Sequence, residues 1–308
     1  MKKILLAVGD CVHSAEAVKY AARISSANVD VSYTLFHVQP PVPPIFREAA
    51  DTDTAVRAEV TSLVQQNSEA AACITRELKE TMVREGIPEK RVEMVTQPMR
   101  LGMAKDIIDM AEQGRFDAIV LGRRALTPAR DFFIGMTAAK VVDHALSIPV
   151  WVASGAATSK KILIAVDGTE NSLRVVGHVV DLVGAHPQLR ITLFHVLPHL
   201  RHYYSVDFER KNPHLQQILK RQDKARMEGF YEKAYQRLEK GGLKENQINV
   251  VTNTRSFDIG TAIFSEMRTG QHGTVVIGRR GERDAFFSGG MAIYLVQKVT
   301  KQVLWVVP

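Results

Sequence analysis

Residues 277–291 read IGRRGERDAFFSGGM, which sets Gly278, Gly281 and Gly290 around the pair Arg279 and Arg280. Glycine lets the backbone approach an anion closely and leaves amides to point at it, and arginine adds charge. A helix starting near Gly289 and Gly290 adds the positive end of its dipole. The pattern fits phosphate or nucleotide binding. A tight strand-to-helix connection is the plainer reading of the same glycines. Residues 121–136, LGRRALTPARDFFIGM, keep Gly122, Arg123 and Gly135, but Ala125 replaces the middle glycine and Pro128 stiffens the segment.

A second candidate is AVDGTENS at 165–172, with its aspartate Asp167; the matching AVGDCVHS at 7–14 has Gly9 there and Asp10 one residue later. A turn aspartate either contacts a ligand or binds the amides of its own turn, and both readings stand. His195, His199 and His202 lie close in sequence but span a strand end and a proline loop, so no metal is expected. Cys11 sits beside the first of these loops. No nucleophile–base–acid set and no Gly-Lys-Ser/Thr phosphate loop is present, so strong catalysis is not expected.

These segments belong to a repeat. KKILLAVGD at Lys2 returns as KKILIAVDG at Lys160, and TLFHVQP at Thr34 as TLFHVLP at Thr192, each 158 residues later. IVLGRRA at Ile119 returns as VVIGRRG at Val275, 156 residues later. PVWVA at Pro149 answers VLWVV at Val303, and the order never changes. A repeat this long is a whole domain. The boundaries are read as 1–154 and 160–308, with the small polar residues of 154–160 as the linker.

Each copy must position its candidates on strand ends. Residues 4–8 and 162–166 are unbroken apolar runs, as in strands buried on both faces. Ser14 and Ser172 are expected to cap the following helices. Second strands are expected at 31–38 and 190–196, long helices at 52–85 and 212–240, third strands at 91–96 and 247–252, fourth strands at 118–121 and 274–277, and last strands at 150–153 and 303–307. Alternating strands and helices mean parallel sheets. Ligands in such sheets bind beyond the carboxyl ends of the strands, where strand order reverses.

Bulk composition sets the outer limits. A chain of 308 residues with 45% hydrophobic and 24% charged residues fits two ordinary globular domains. Two cysteines imply no disulfide framework and point to a reducing cytoplasm. The net charge of +7 is scattered along the chain, which favours a solvated surface over a nucleic-acid footprint. The opening MKKILLAVGD is read as a strand rather than a signal, because its like recurs inside the chain. No run reaches the ~18 apolar residues of a membrane span.

The order of these elements and motifs resembles the universal stress protein family, twice, over nearly the whole chain. Nucleotide-binding members of that family carry Gly, two residues, Gly, nine residues, Gly, then Ser or Thr, with an aspartate after the first strand at the adenosine end. Copy two matches with Asp167, Gly278, Gly281 and Gly290. Its last interval is eight residues, and Met291 takes the hydroxyl position. The resemblance extends the implied site to Ala165, Val196, Arg279 and Arg280. Copy one matches with Gly122 and Gly135, beside Arg123 and Val38, and Met136 takes its hydroxyl position.

The resemblance implies two tandem, doubly wound, five-stranded parallel sheets of the Rossmann-like, adenine-nucleotide alpha-hydrolase-like kind. It implies pairing of the two domains through their last strands about a pseudo-twofold axis, with further homodimerisation open. The function it implies is a cytoplasmic stress response with regulatory binding of ATP or a related adenine nucleotide, mainly in domain two. The alternatives are a structural or interaction protein with two vestigial sites, which Met136 and Met291 favour, and a slow ATPase.

Overall fold

The computed structural model describes residues 1–123, 136–155, 157–184, 186–254, 256, 258–279 and 289–308. The chain divides into two compact units: Met1–Arg23 with Asp30–Val150, and Ile24–Val29 with Trp151–Pro308.

In the first unit β1 (Lys2–Ala7) lies between β2 (Val31–Gln39) and β4 (Ala118–Gly122), parallel to both. Ile4 faces Tyr33 on one side and Ala118 on the other. β3 (Val92–Pro98) flanks β2, giving the order β3-β2-β1-β4, and β5 (Val150–Ala153) starts at the last residue of this unit. Ile4, Leu5 and Leu6 are all fully buried, so both faces of β1 are covered and its sequence is an apolar run without alternation. The helices are α1 (Val12–Ser25), α2 (Pro44–Thr52), α3 (Thr54–Arg84), α4 (Met103–Gln113) and α5 (Met136–His144).

The expected long helix is found and the expected caps are not. The helix expected over 52–85 is α3, opened by Asp53, which is extended and accepts from the Ala55 and Val56 amides, and a further short helix, α2, precedes it. The earlier helix, α2, begins at a proline whose fixed φ and missing amide suit a first turn. Ser14 lies within α1 rather than capping it, and Ser172 lies within the first turn of α6 (Glu170–Val183), which Thr169 caps. Both serines instead turn back to the strand end.

The second unit repeats the plan. β6 (Lys161–Val166), β7 (Arg190–Val196), β8 (Ile248–Asn253), β9 (Thr274–Gly278) and β10 (Val303–Val307) follow the order β8-β7-β6-β9-β10, all parallel where paired. With α6 come α7 (Val206–Lys211), α8 (Pro213–Lys240), α9 (Ile259–Thr269) and α10 (Gly289–Lys298). Strand order reverses beside β1 in one unit and beside β6 in the other, which fixes where a ligand crevice lies. Among the described residues no helix is long and apolar enough to cross a membrane.

Candidate functional site

At the reversal point of the first unit, the loop after β1 is held by Ser14, whose Oγ accepts from the Gly9 amide at 2.9 Å. His37, at the end of β2, places Nδ1 3.0 Å from the Val8 carbonyl oxygen. Gly122, at the end of β4, has no room for a side chain, since a Cβ there would meet the backbone carbonyl of His13. Beyond these strand ends opens a cleft of about 560 Å³. Val8, Phe36, Val38, Met103 and Ile107 give it apolar walls, while Gly9, Asp10, Cys11 and Gly122 form its rim. Such a volume and lining suit a small organic ligand.

The second unit has the same parts. The Asp167 amide donates to Ser172 Oγ at 3.0 Å, and His195 Nδ1 lies 3.1 Å from the Val166 carbonyl oxygen. A Cβ on Gly278 would lie 2.6 Å from Asn171 Nδ2, which donates to the Arg279 carbonyl. Among the described residues, the strand-end pocket lined by Ala165, Asp167 and Val196 is about 20 Å³, room for roughly one water. His195 and Asp223 line it, with Nε2 and Oδ2 2.8 Å apart and both side chains buried. Arg226 closes the outside with NH2 2.8 Å from Asp223 Oδ1. Among the described residues that line the first cleft there is no counterpart of Asp223 or Arg226.

Of the residues expected in the second site, Ala165, Asp167 and Val196 meet at this small space. Asp167 Oδ1 takes donors from its own loop: Thr169 N at 3.1 Å, Thr169 Oγ1 at 2.6 Å and Ser172 Oγ at 2.7 Å. That is the turn-binding reading of this aspartate. Gly278 and Arg279 stand at the neighbouring strand end without lining the space. In the first unit Val38 and Gly122 line the open cleft; Arg123 is buried and does not. Arg280, Gly281 and Gly135 lie outside the described residues. Met136 opens α5 and Gly290 and Met291 fall in the first turn of α10, where the backbone alone is described.

The open volume therefore lies in the copy with fewer family motif residues. Asp223 and Arg226, which line the smaller space, sit outside the motifs, on α8. Asp223 and Arg226 escaped the sequence reading because long-helix residues carry no glycine or strand signature. A comparison of the two long helices position by position is the signal that finds them.

The three clustered histidines go separate ways. His195 is engaged at both nitrogens, His199 Nε2 lies 3.3 Å from the Thr254 carbonyl oxygen, and His202 Nδ1 accepts from the His199 amide. Among the described residues no group of three or more histidine, cysteine or acidic side chains has an arrangement able to hold a metal. Burial, more than any neighbour, holds His202 and His272 below the ordinary histidine pKa.

The sequence model of the universal stress protein family matches the chain twice, over residues 1–154 and 158–307. A search of curated protein sequences finds no match. A universal stress protein of solved structure from Archaeoglobus fulgidus is similar at TM-score 0.62 and 14% identity, covering 99% of this chain and 97% of that one. A functionally unknown protein from Pseudomonas aeruginosa is similar at 0.56 and 15%, covering 100% and 92%. A universal stress protein solved in complex with cAMP covers 49% of this chain and 96% of its own, at TM-score 0.36 and 14% identity. At these identities the structural likenesses concern the fold.

Proposed function

The chain belongs to the universal stress protein family, as two fused copies, and from that premise we propose a stress-response protein that binds an adenine nucleotide in the cleft of its first unit. One observation carries this reading: the first cleft offers about 560 Å³ at the reversal of strand order, and the second about 20 Å³ at the matching place. Val38 and Ile107 on the cleft wall offer apolar contact to an adenine ring, and the rim of Gly9, Asp10 and Gly122 offers backbone to the polar part. Sequence motifs alone favour the second copy; the room to accept a ligand favours the first. Binding acts as a signal rather than as the start of turnover, and the protein works in the cytoplasm, consistent with cysteines that form no disulfide.

Titration calorimetry with ATP, AMP and cAMP tests this. One site per chain is expected for at least one of them, with no sustained phosphate release from ATP. Val38→Trp, which fills the cleft, is expected to abolish the heat. A protein that gives no response to any of the three refutes the nucleotide reading.

A further inference from the structure

The two clefts are built on matching residues: Phe36 and Phe194, Val38 and Val196, Ile107 and Ile263. The long helices beside them differ between the copies. Each ends in a glycine turn of positive φ, Gly86 at 92° and Gly242 at 84°. Matched on those turns, three pairs of buried residues coincide: Ala71 with Met227, Leu78 with Ala234, Met82 with Leu238. In the same match Asp223 falls on Asn67 and Arg226 on Ala70.

Asp223 and Arg226 both line the smaller cleft. Asp223 reaches the strand end and meets His195 Nε2 at 2.8 Å. Arg226 holds the other oxygen of Asp223 and lies over the loop after β6, where a Cβ on Gly168 would come within 3.0 Å of its Cγ. Asn67 and Ala70 line no part of the first cleft, Ala70 being exposed. There His37 keeps its carbonyl bond, and its Nε2 has no partner among the described residues.

We propose that Asp223 and Arg226 determine which cleft takes a ligand, by locking His195 and shutting the second strand-end crevice from within. A ligand entering there must break a buried hydrogen bond between an imidazole and a carboxylate and turn Arg226 outward. Breaking such a contact without replacing it is costly. A ligand entering the first cleft meets no such contact among the described residues. The closure stands on the geometry alone; only its consequence for ATP rests on the function proposed above.

The test exchanges the pair in both directions, D223N/R226A and N67D/A70R, and reads two things. Acylation of histidines by diethyl pyrocarbonate, mapped by peptide mass, reports closure without any ligand. Native mass spectrometry with ATP counts sites. In the unaltered chain His37 is expected to react faster than His195 by on the order of tenfold or more. D223N/R226A is expected to bring His195 to the rate of His37 and to raise the count from one ATP to two. N67D/A70R is expected to protect His37 and reduce the count to zero. A folded D223N/R226A with His195 still protected overturns the proposal, as does a reactive His195 with the count still at one. Should that variant not fold, N67D/A70R decides, and unchanged His37 reactivity and ATP count overturn the proposal. Should the unaltered chain bind no ATP, the nucleotide reading fails while the closure stands or falls on acylation.

Discussion

His195 is held by Asp223, a residue 28 positions further along the chain, through a 2.8 Å contact between Nε2 and Oδ2 with both side chains buried. The other ring nitrogen holds the Val166 carbonyl. One imidazole thus ties β6, β7 and α8 together. Asp223→Ala strands the ring and Arg226, and is expected to cost the second unit about 3 kcal/mol. Asn67→Ala, at the matching place in the first unit, is expected to change stability by less than about 0.5 kcal/mol. Urea unfolding midpoints check both, and equal effects would contradict the account.

Gly122 and Gly278 are small because neighbouring elements touch them. Gly122→Ala presses a Cβ onto the His13 backbone, which cannot swing away as a side chain can. A loss of about 2 kcal/mol is expected. Gly9, on the cleft rim, has nothing within 4 Å of an added Cβ, so Gly9→Ala is expected to be close to neutral in stability. Thermal unfolding of the two variants measures the contrast.

Acid is expected to weaken the second unit before the pH reaches the carboxylate range. Burial lowers the His272 pKa in the folded state, so the unfolded chain binds the proton first, near its ordinary value of about 6.5. The contribution is fully present above that value and is lost as pH falls through it toward the lower folded value. His272→Phe, which installs the residue found at Phe116 in the first copy, is expected to flatten stability between pH 7.5 and pH 5.5. Urea midpoints at the two pH values give the slope. An equal slope in both proteins would remove His272 from the explanation.

Gly229 is exposed in the middle of α8, with nothing within 4 Å of an added Cβ. Gly229→Ala is expected to stabilise by about 0.5–1 kcal/mol, by reducing the freedom of the unfolded chain and favouring helix. A lowered melting temperature would mean that α8 depends on a bend at this residue.

Much of the fold was legible because strand and repeat signals are local. The apolar runs at β1 and β6 announced strands covered on both faces, and their recurrence announced the duplication. Helix ends were less legible. Asp53 looks like any surface acid in sequence, yet its side chain divides α2 from α3. Ser14 and Ser172 have the chemistry of caps but spend their hydroxyls on the Gly9 and Asp167 amides.

Part of the candidate set is brought together at strand ends. Ala165, Asp167 and Val196 do meet at a strand end, as do Val38 and Gly122. Tertiary packing also brings the α8 side chains of Asp223 and Arg226 to the second of these places. A motif spacing records only neighbours along the chain, so the Asn67-to-Asp223 and Ala70-to-Arg226 exchanges were invisible to it.

The most direct measurement is a crystal structure of the chain grown with ATP. The account predicts ligand density in the first unit, between Val38 and Ile107 and along the rim of Gly9 and Gly122, with the His195–Asp223 contact intact in the second. Density beside Asp167 with Arg226 displaced, or density in neither cleft at saturating ATP, would contradict it.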